Sequence, residues 1–451
     1  MVSADPPLLS QAAALLYTVV THNLPASCSL EQLETLLQRL SQEIARQAAE
    51  QYVQAQATAR EGATLTCACG QRLVAEQRRP RAVLLLFGLL RLHLRRYRCP
   101  ACGTWRCPGA ERWALAPQQR MSGTLQELVT HFGLSWSYHV AAVLLGRVLP
   151  GAAVSAKTVE RVTKRSARRR QAAEDAAAQA CQALPPALGE RAAAVAAQAG
   201  ALPAFAQPAR VYVGLDGILV RGRAAKQWLE VQVGSLWSAW RDVLDRQHPR
   251  REITDRTLVA RSGGWEPLGA QVWRVFVQRG GLRAPRPEVV VLGDGAAGIR
   301  SLWEHYFPHA LALLDPWHLW EKVKARAREV LGDRERALGA AQVVYARLRR
   351  GAVEEARELI AHWPATTAWA CARRERLLAF LQRNRDRIGD YAALRARGYL
   401  TGSGLTEKAN DLVVAPRMKN GKMHWSRPGA NAVALLRAHV LNDPHAPLLP
   451  T

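Results

Sequence analysis

The sequence predicts an α/β protein whose mixed sheet is interrupted by an all-α insertion and preceded by a helical N-terminus, a cysteine-framed hairpin and a helix-turn-helix. Three observations carry that expectation. Residues 288–319 hold two short apolar runs, 289–292 and 310–314, each closing on an aspartate and joined by an amphipathic helical pattern. Residues 210–220 and 228–237 alternate as paired strands do. Cys67-Ala-Cys69-Gly70 and Cys99-Pro-Ala-Cys102-Gly103 bracket a β-patterned stretch rich in arginine.

Length and charge bound what such a protein does. A chain of 451 residues holds two to four domains, and 49% hydrophobic residues is enough for real cores. The formal net charge of +25 implies an anionic partner. DNA or RNA is the first choice, because lysine and arginine release condensed counterions on binding it. An acidic membrane surface competes less well, since no segment approaches the roughly 18 apolar residues of a spanning helix. The start of the chain lacks the cationic opening of a signal peptide, so a cytoplasmic location is expected. Five of the eight cysteines fall between Cys67 and Cys107, a spacing that suits a metal site better than a secreted disulfide scaffold.

In chain order, residues 1–60 form a helical region. Ser29 and Gln32 fit a capping box, followed by Leu33, Leu36, Leu37, Leu40 and Ile44 on one helix face. That face either packs within the fold or supplies a dimer contact. Residues 61–112 read as a zinc ribbon, two cysteine knuckles separated by a β-hairpin, with Cys67, Cys69, Cys99 and Cys102 holding a structural Zn²⁺. The first knuckle is C-x-C where C-x-x-C is usual, so Cys107 is either a replacement ligand or a bystander. Arg78, Arg79, Arg81, Arg91, Arg95, Arg96 and Arg98 stud the hairpin, which suits phosphate contact.

Residues 113–170 carry two helical patterns, a Pro150-Gly151 turn and a short helix over 156–163 with Ser155 as its cap. That outline fits a helix-turn-helix as well as a plain helical hairpin. The basic run 164–170 favours DNA, with Lys157, Arg161, Lys164 and Arg165 as contacts. Residues 171–208 are alanine-rich and read as a helical linker. In 209–316 the strand over 210–220 has Asp216 in its middle, 228–237 is its hairpin partner, 253–259 is a third strand, and a helix spans 268–278. Val289 to Leu292 then run into Gly293-Asp294-Gly295, and the next strand runs into Asp315 and His318. The order βββαβαβ is that of a ribonuclease H-like domain. Residues 317–400 read as an all-α insertion, and 401–451 return to the core with Glu407 in the first turn of a helix.

A carboxylate inside a buried strand needs a compensating partner. Either a basic side chain pairs with Asp216, or it shares divalent cations with Asp294 and Glu407. Three carboxylates so placed suit two Mg²⁺ (or Mn²⁺) ions about 3.5–4 Å apart. His318 is either a packed residue at a helix N-terminus or a metal or substrate contact. Arg417 and Lys419 either position a phosphate or belong to a solvated basic helix, and Trp425 is better placed in a core than on an unpaired base.

The blocks Val211-Tyr-Val-Gly-Leu-Asp-Gly217, Val291-Leu-Gly-Asp-Gly-Ala296, Leu313-Leu-Asp-Pro-Trp-His318 and Gly402-Ser-Gly-Leu-Thr-Glu-Lys-Ala-Asn410 resemble those of bacterial insertion-sequence DDE transposases of the ISKra type. The stretch 417–430 is similar to that family's C-terminal signature, slightly altered at 420–423. The resemblance implies a metal-binding triad of Asp216, Asp294 and Glu407, with Asp315 and His318 as a D-x-x-H element at the active-site rim. It implies binding of double-stranded DNA at transposon ends and target, metal-dependent cleavage, strand transfer and a homo-oligomeric synaptic complex. Two other readings remain: a DNA-binding regulator that no longer cuts, and a nuclease of the same fold without strand transfer.

Overall fold

A computed structural model describes residues 6–25, 27–59, 61, 65–182, 202–224, 226–243, 250–402, 404–419 and 423–448; the side chains at 6, 250, 251 and 405–407 lie outside the description. The chain divides into two compact units, Met1–Thr163 and Lys164–Thr451.

In the first unit the helix Leu30–Thr58 starts where the sequence places it, because Ser29 and Gln32 satisfy each other's backbone N–H groups in a capping box. It lies against a hairpin of β1 (Val74–Leu85) and β2 (Gly88–Arg98), to which β3 (Trp105–Arg106) adds a short third strand. Along β2, Leu90, Leu92, Leu94 and Tyr97 are buried while Arg91, His93, Arg96 and Arg98 are exposed. Ala57 and Ala110 complete the cluster over the three leucines. The helix also closes the open edge of β2. Glu50 accepts from Arg91 N at 2.9 Å, and Gln54 exchanges bonds of 2.8 and 3.0 Å with the His93 backbone.

Two serine-capped helices, Gly123–Ser135 and Tyr138–Val148, follow, then the short turn Pro150–Ala152. Ser155 caps the next helix by accepting from Thr158 N. That helix is not short. It spans Ala156–Gln182, because residues 164–182 hold neither glycine nor proline and are rich in strong helix formers. Its second half is part of a fold and not a free connector, since Cys181 sits in the core of the second unit and Glu174 pairs with buried Arg261 at 2.7 Å. Residues 183–201 of the expected linker lie outside the described residues.

The second unit is mixed α/β. Its strands are β4 (Arg210–Arg221), β5 (Trp228–Trp237), β6 (Trp240–Val243), β7 (Arg250–Ile253), β8 (Thr257–Arg261), β9 (Glu288–Gly293) and β10 (Leu311–Leu314). Five form one sheet in the order β10-β9-β4-β5-β8; β4, β5 and β8 are antiparallel, while β4, β9 and β10 are parallel. The single strand expected over 253–259 is two. Ile253 ends a separate β6–β7 ribbon, and β8 begins only at Thr257. Asp255 makes the break: its carboxylate accepts from the backbone N–H groups of Ala206, Ser238 and Ala239 and from the Ser238 hydroxyl, and pairs with Arg279 at 3.0 Å. An apolar pattern cannot register such a turn.

Helices Trp265–Gln278 and Ala297–Tyr306 cover one sheet face over Val213, Leu215, Val272, Phe276 and Ile299. On the other face Tyr212 stacks on Trp237, with ring centres 5.5 Å apart, beside Leu292, Leu313 and Tyr399. Helix Gly404–Val413 lies on β4 and β5. Helix Arg427–Asn442 lies on β8, and the Asn442 side chain bonds both Leu258 N (2.7 Å) and Leu258 O (2.8 Å), taking the place of a neighbouring strand. Between β10 and Gly404 stand the helices Pro316–Leu331, Arg334–Leu348, Val353–Ala361, Ala368–Arg383 and Tyr391–Ala396, with a core of their own that includes Leu319, Val323, Val344, Ile360 and Leu377.

Candidate functional site

The parallel register aligns three aspartates. Gly214 pairs with Leu292, and Leu292 with Leu313. Asp216, Asp294 and Asp315 each lie two residues beyond those partners, so they form a row across three neighbouring strands roughly 4.8 Å apart. Two of the strands end just before their aspartate, which sets Asp294 and Asp315 at the C-terminal edge of the sheet. Such edges are where ligands enter parallel sheets.

Each carboxylate has a different surrounding. Asp216 is half-buried. Its Oδ1 accepts from Gly217 N at 2.8 Å and its Oδ2 from Asn410 Nδ2 at 2.6 Å. Asp294 is also half-buried and accepts from Ala296 N at 2.9 Å, in a turn that Gly295 permits with φ of 84°. Lys322, over the Phe380 ring at 4.1 Å, and fully buried Arg387 are its cationic neighbours. Desolvation pushes both below their ordinary pKa values, while the Asp294 charge pulls them back up. Asp315 is buried. It caps the helix Pro316–Leu331 by accepting from His318 N at 2.8 Å, and the same oxygen lies 3.1 Å from His318 Nδ1. His318 is thus held by Asp315, and the neighbouring Trp317 side chain is largely exposed.

The third expected ligand comes from the helix Gly404–Val413. The backbone of Glu407 is on that helix, and its side chain lies outside the described residues. The loop before it passes the row, since a Cβ on Gly402 would stand 3.7 Å from Asp315 Oδ2. Asn410, three residues after Glu407, is the contact that docks the helix on Asp216. Sequence reasoning missed it, although the i+3 spacing from Glu407 shares a helix face and was there to be read.

The cysteine group is complete. The sulfurs of Cys67, Cys69, Cys99 and Cys102 all lie within 4.8 Å of one another, with Cys67–Cys102 at 3.4 Å and Cys69–Cys99 at 3.5 Å. A tetrahedral metal with metal–sulfur bonds near 2.3 Å needs sulfurs about 3.8 Å apart, so the four can hold an ion such as zinc. Gly70 and Gly103, with φ of 87° and 72°, turn the two knuckles. The Thr104 hydroxyl and backbone N–H pull the Cys102 thiol down to about 6. Cys107 precedes the short helix Pro108–Glu111 and is outside the group.

Among the expected DNA contacts, Lys157, Arg161 and Arg165 are exposed on one helix, Lys157 pairing with Glu160 at 3.1 Å, and Lys164 is half-buried. Lys419 is exposed beside 420–422, which lie outside the described residues. Arg417 requires correction. It is 3% exposed, its Nη1 lies 3.0 Å from Met423 Sδ and its guanidinium 4.9 Å from the centre of the Trp425 ring, so it packs inside the fold and is not free to meet a phosphate. Trp425 itself is buried, donating to Met418 O and pairing its backbone with Arg221 and Arg223.

No described helix is long and apolar enough to cross a membrane. No protein-family model matches the chain, and no curated protein matches it.

Proposed function

We propose that the protein is a DNA transposase in which a ribonuclease H-like core cuts DNA at the ends of a mobile element and joins the 3′-hydroxyls to a target. The observation that carries this reading is the row of Asp216 and Asp294 on adjacent strands, with the helix bearing Glu407 docked on it through Asn410. The strand order, three antiparallel strands followed by two parallel ones on the side of the first, supports the ribonuclease H-like assignment.

The residues fit hard divalent cations. Asp294 is half-buried and accepts from Ala296 N, Asp216 lies beside it on the next strand, and Asn410 Oδ1 is buried without a hydrogen-bond partner among the described residues. Asp216, Asp294 and Glu407 would hold Mg²⁺ or Mn²⁺. Such ions, when bound, supply Lewis-acid activation of the attacking oxygen and stabilise the leaving one. Asp315 and His318 fix the start of the helix that carries Lys322 toward Asp294. The cysteine tetrad would hold structural Zn²⁺ and keep the arginine-rich hairpin folded, while Lys157, Arg161 and Arg165 offer phosphate contacts. A homo-oligomer would bring two DNA ends together.

Incubating the purified protein with Mg²⁺ and DNA carrying the element's ends tests the reading. Cleavage with joining is expected. Cleavage without joining makes the protein a nuclease, and binding without cleavage makes it a regulator.

A further inference from the structure

We infer that Asn410 is a positioning residue for the cation site, resting on the metal-binding reading above: its amide holds Asp216 in one orientation and leaves a carbonyl oxygen beside it as a further hard donor. Three observations lead there. Asn410 is 5% exposed, on a helix that lies on β4 and β5. Its Nδ2 is 2.6 Å from Asp216 Oδ2, a charge-assisted bond that is among the shortest N–H···O contacts of the unit. Its Oδ1 is buried and has no hydrogen-bond partner among the described residues.

The orientation of the amide follows from chemistry. Turning it over would set its oxygen against the Asp216 carboxylate at 2.6 Å, acceptor against acceptor, so the nitrogen must face Asp216. The oxygen is then left buried without a hydrogen-bond partner among the described residues. A buried unpaired acceptor is costly and asks for a ligand. A divalent cation shared with Asp216 supplies one, directly or through a water in its sphere. Asn410 therefore tunes the affinity of the site by orienting Asp216, as partners behind metal ligands commonly do.

The test is Mn²⁺ binding by the full-length protein without DNA, counting free Mn²⁺ by electron paramagnetic resonance, for wild type, Asn410→Ala, Asn410→Leu and an Asp216→Ala baseline. Asn410→Ala should weaken the Asp216-dependent binding about tenfold or more. Asn410→Leu, which keeps the bulk and guards against a misfolded alanine variant, should weaken it as much. Both variants binding Mn²⁺ as wild type does, with only melting temperature lowered, gives Asn410 a packing role and overturns the inference alone. Wild-type protein that binds no Mn²⁺ overturns the inference together with the carboxylate-metal reading beneath it.

Discussion

The cysteine tetrad and the aspartate row both gather metal-seeking groups, and they are built in opposite ways. The four cysteines come from two knuckles at the base of one hairpin, so the β1–β2 register alone brings them together. All four sulfurs converge, two of the residues are buried, and a tetrahedral ion would find its sphere filled by protein. The aspartates come from three strands that align only after the sheet has formed, with Asn410 reaching them from a helix, and Asp216 and Asp294 stay only half-buried. A filled sphere serves folding. A site left open at the sheet edge leaves room for something that arrives later.

That contrast can be broken in several places, beginning where the effect should be greatest. Cys99→Ser, at a fully buried thiol, should unfold the ribbon, because a structural zinc contributes on the order of 10 kcal/mol to such a small core. Limited proteolysis of the β1–β2 hairpin and metal release on thiol modification read it. A hairpin equally protected without metal would remove the structural role. Asp294→Ala should do the reverse, lowering DNA cleavage by roughly 10³-fold or more while the melting temperature holds or rises. Cutting that survives the substitution ends the assignment of the row.

Asp255 sharpens the comparison from within the second unit, as a carboxylate whose oxygens the protein does satisfy. Burial alone would raise its pKa, but the Ser238 hydroxyl and the N–H groups of Ser238, Ala239 and Ala206 outweigh that and hold it below the ordinary carboxylate value. A depressed folded-state pKa adds stability above the unfolded value of about 4, and that stability drains away as the pH falls through the folded value. Asp255→Asn should therefore cost about 2 kcal/mol at pH 7 and flatten the acid limb of a stability–pH curve. An unchanged acid limb would show that Asp255 titrates alike in both states. The smallest effect belongs to the basic helix: Lys157→Ala should reduce the salt dependence of DNA binding by about one counterion, measured as the slope of log affinity against log salt. No change in slope would place the phosphate contacts elsewhere.

What the sequence made legible followed the reach of its signals. The capping box at Ser29, the hairpin between the knuckles and the strands ending at Asp294 and Asp315 are local patterns, and the structure has them where the pattern lies. The aspartates could be named, and Asp294 and Asp315 expected at one sheet edge, but the register that sets Asp216 in line with them could not be read, because it depends on packing across some hundred residues of chain. Asp255 escaped notice since a turn that collects backbone N–H groups looks like any acidic residue in an apolar run. Arg417 was misplaced for a related reason: charge suggested solvent, whereas Trp425 and Met423 enclose its stem and head. Asn410 was missed although its spacing from Glu407 puts both on one helix face; its bond to Asp216 shows what that face does.

The grip of Asn442 on Leu258 bears on how the chain can be trimmed. Any shortening that removes the last turn of Arg427–Asn442 lays bare the outer side of β8, and a naked edge invites the same edge of another molecule. Fragments ending upstream of that asparagine should be recovered as sheet-linked aggregates, whereas those retaining it should stay dispersed.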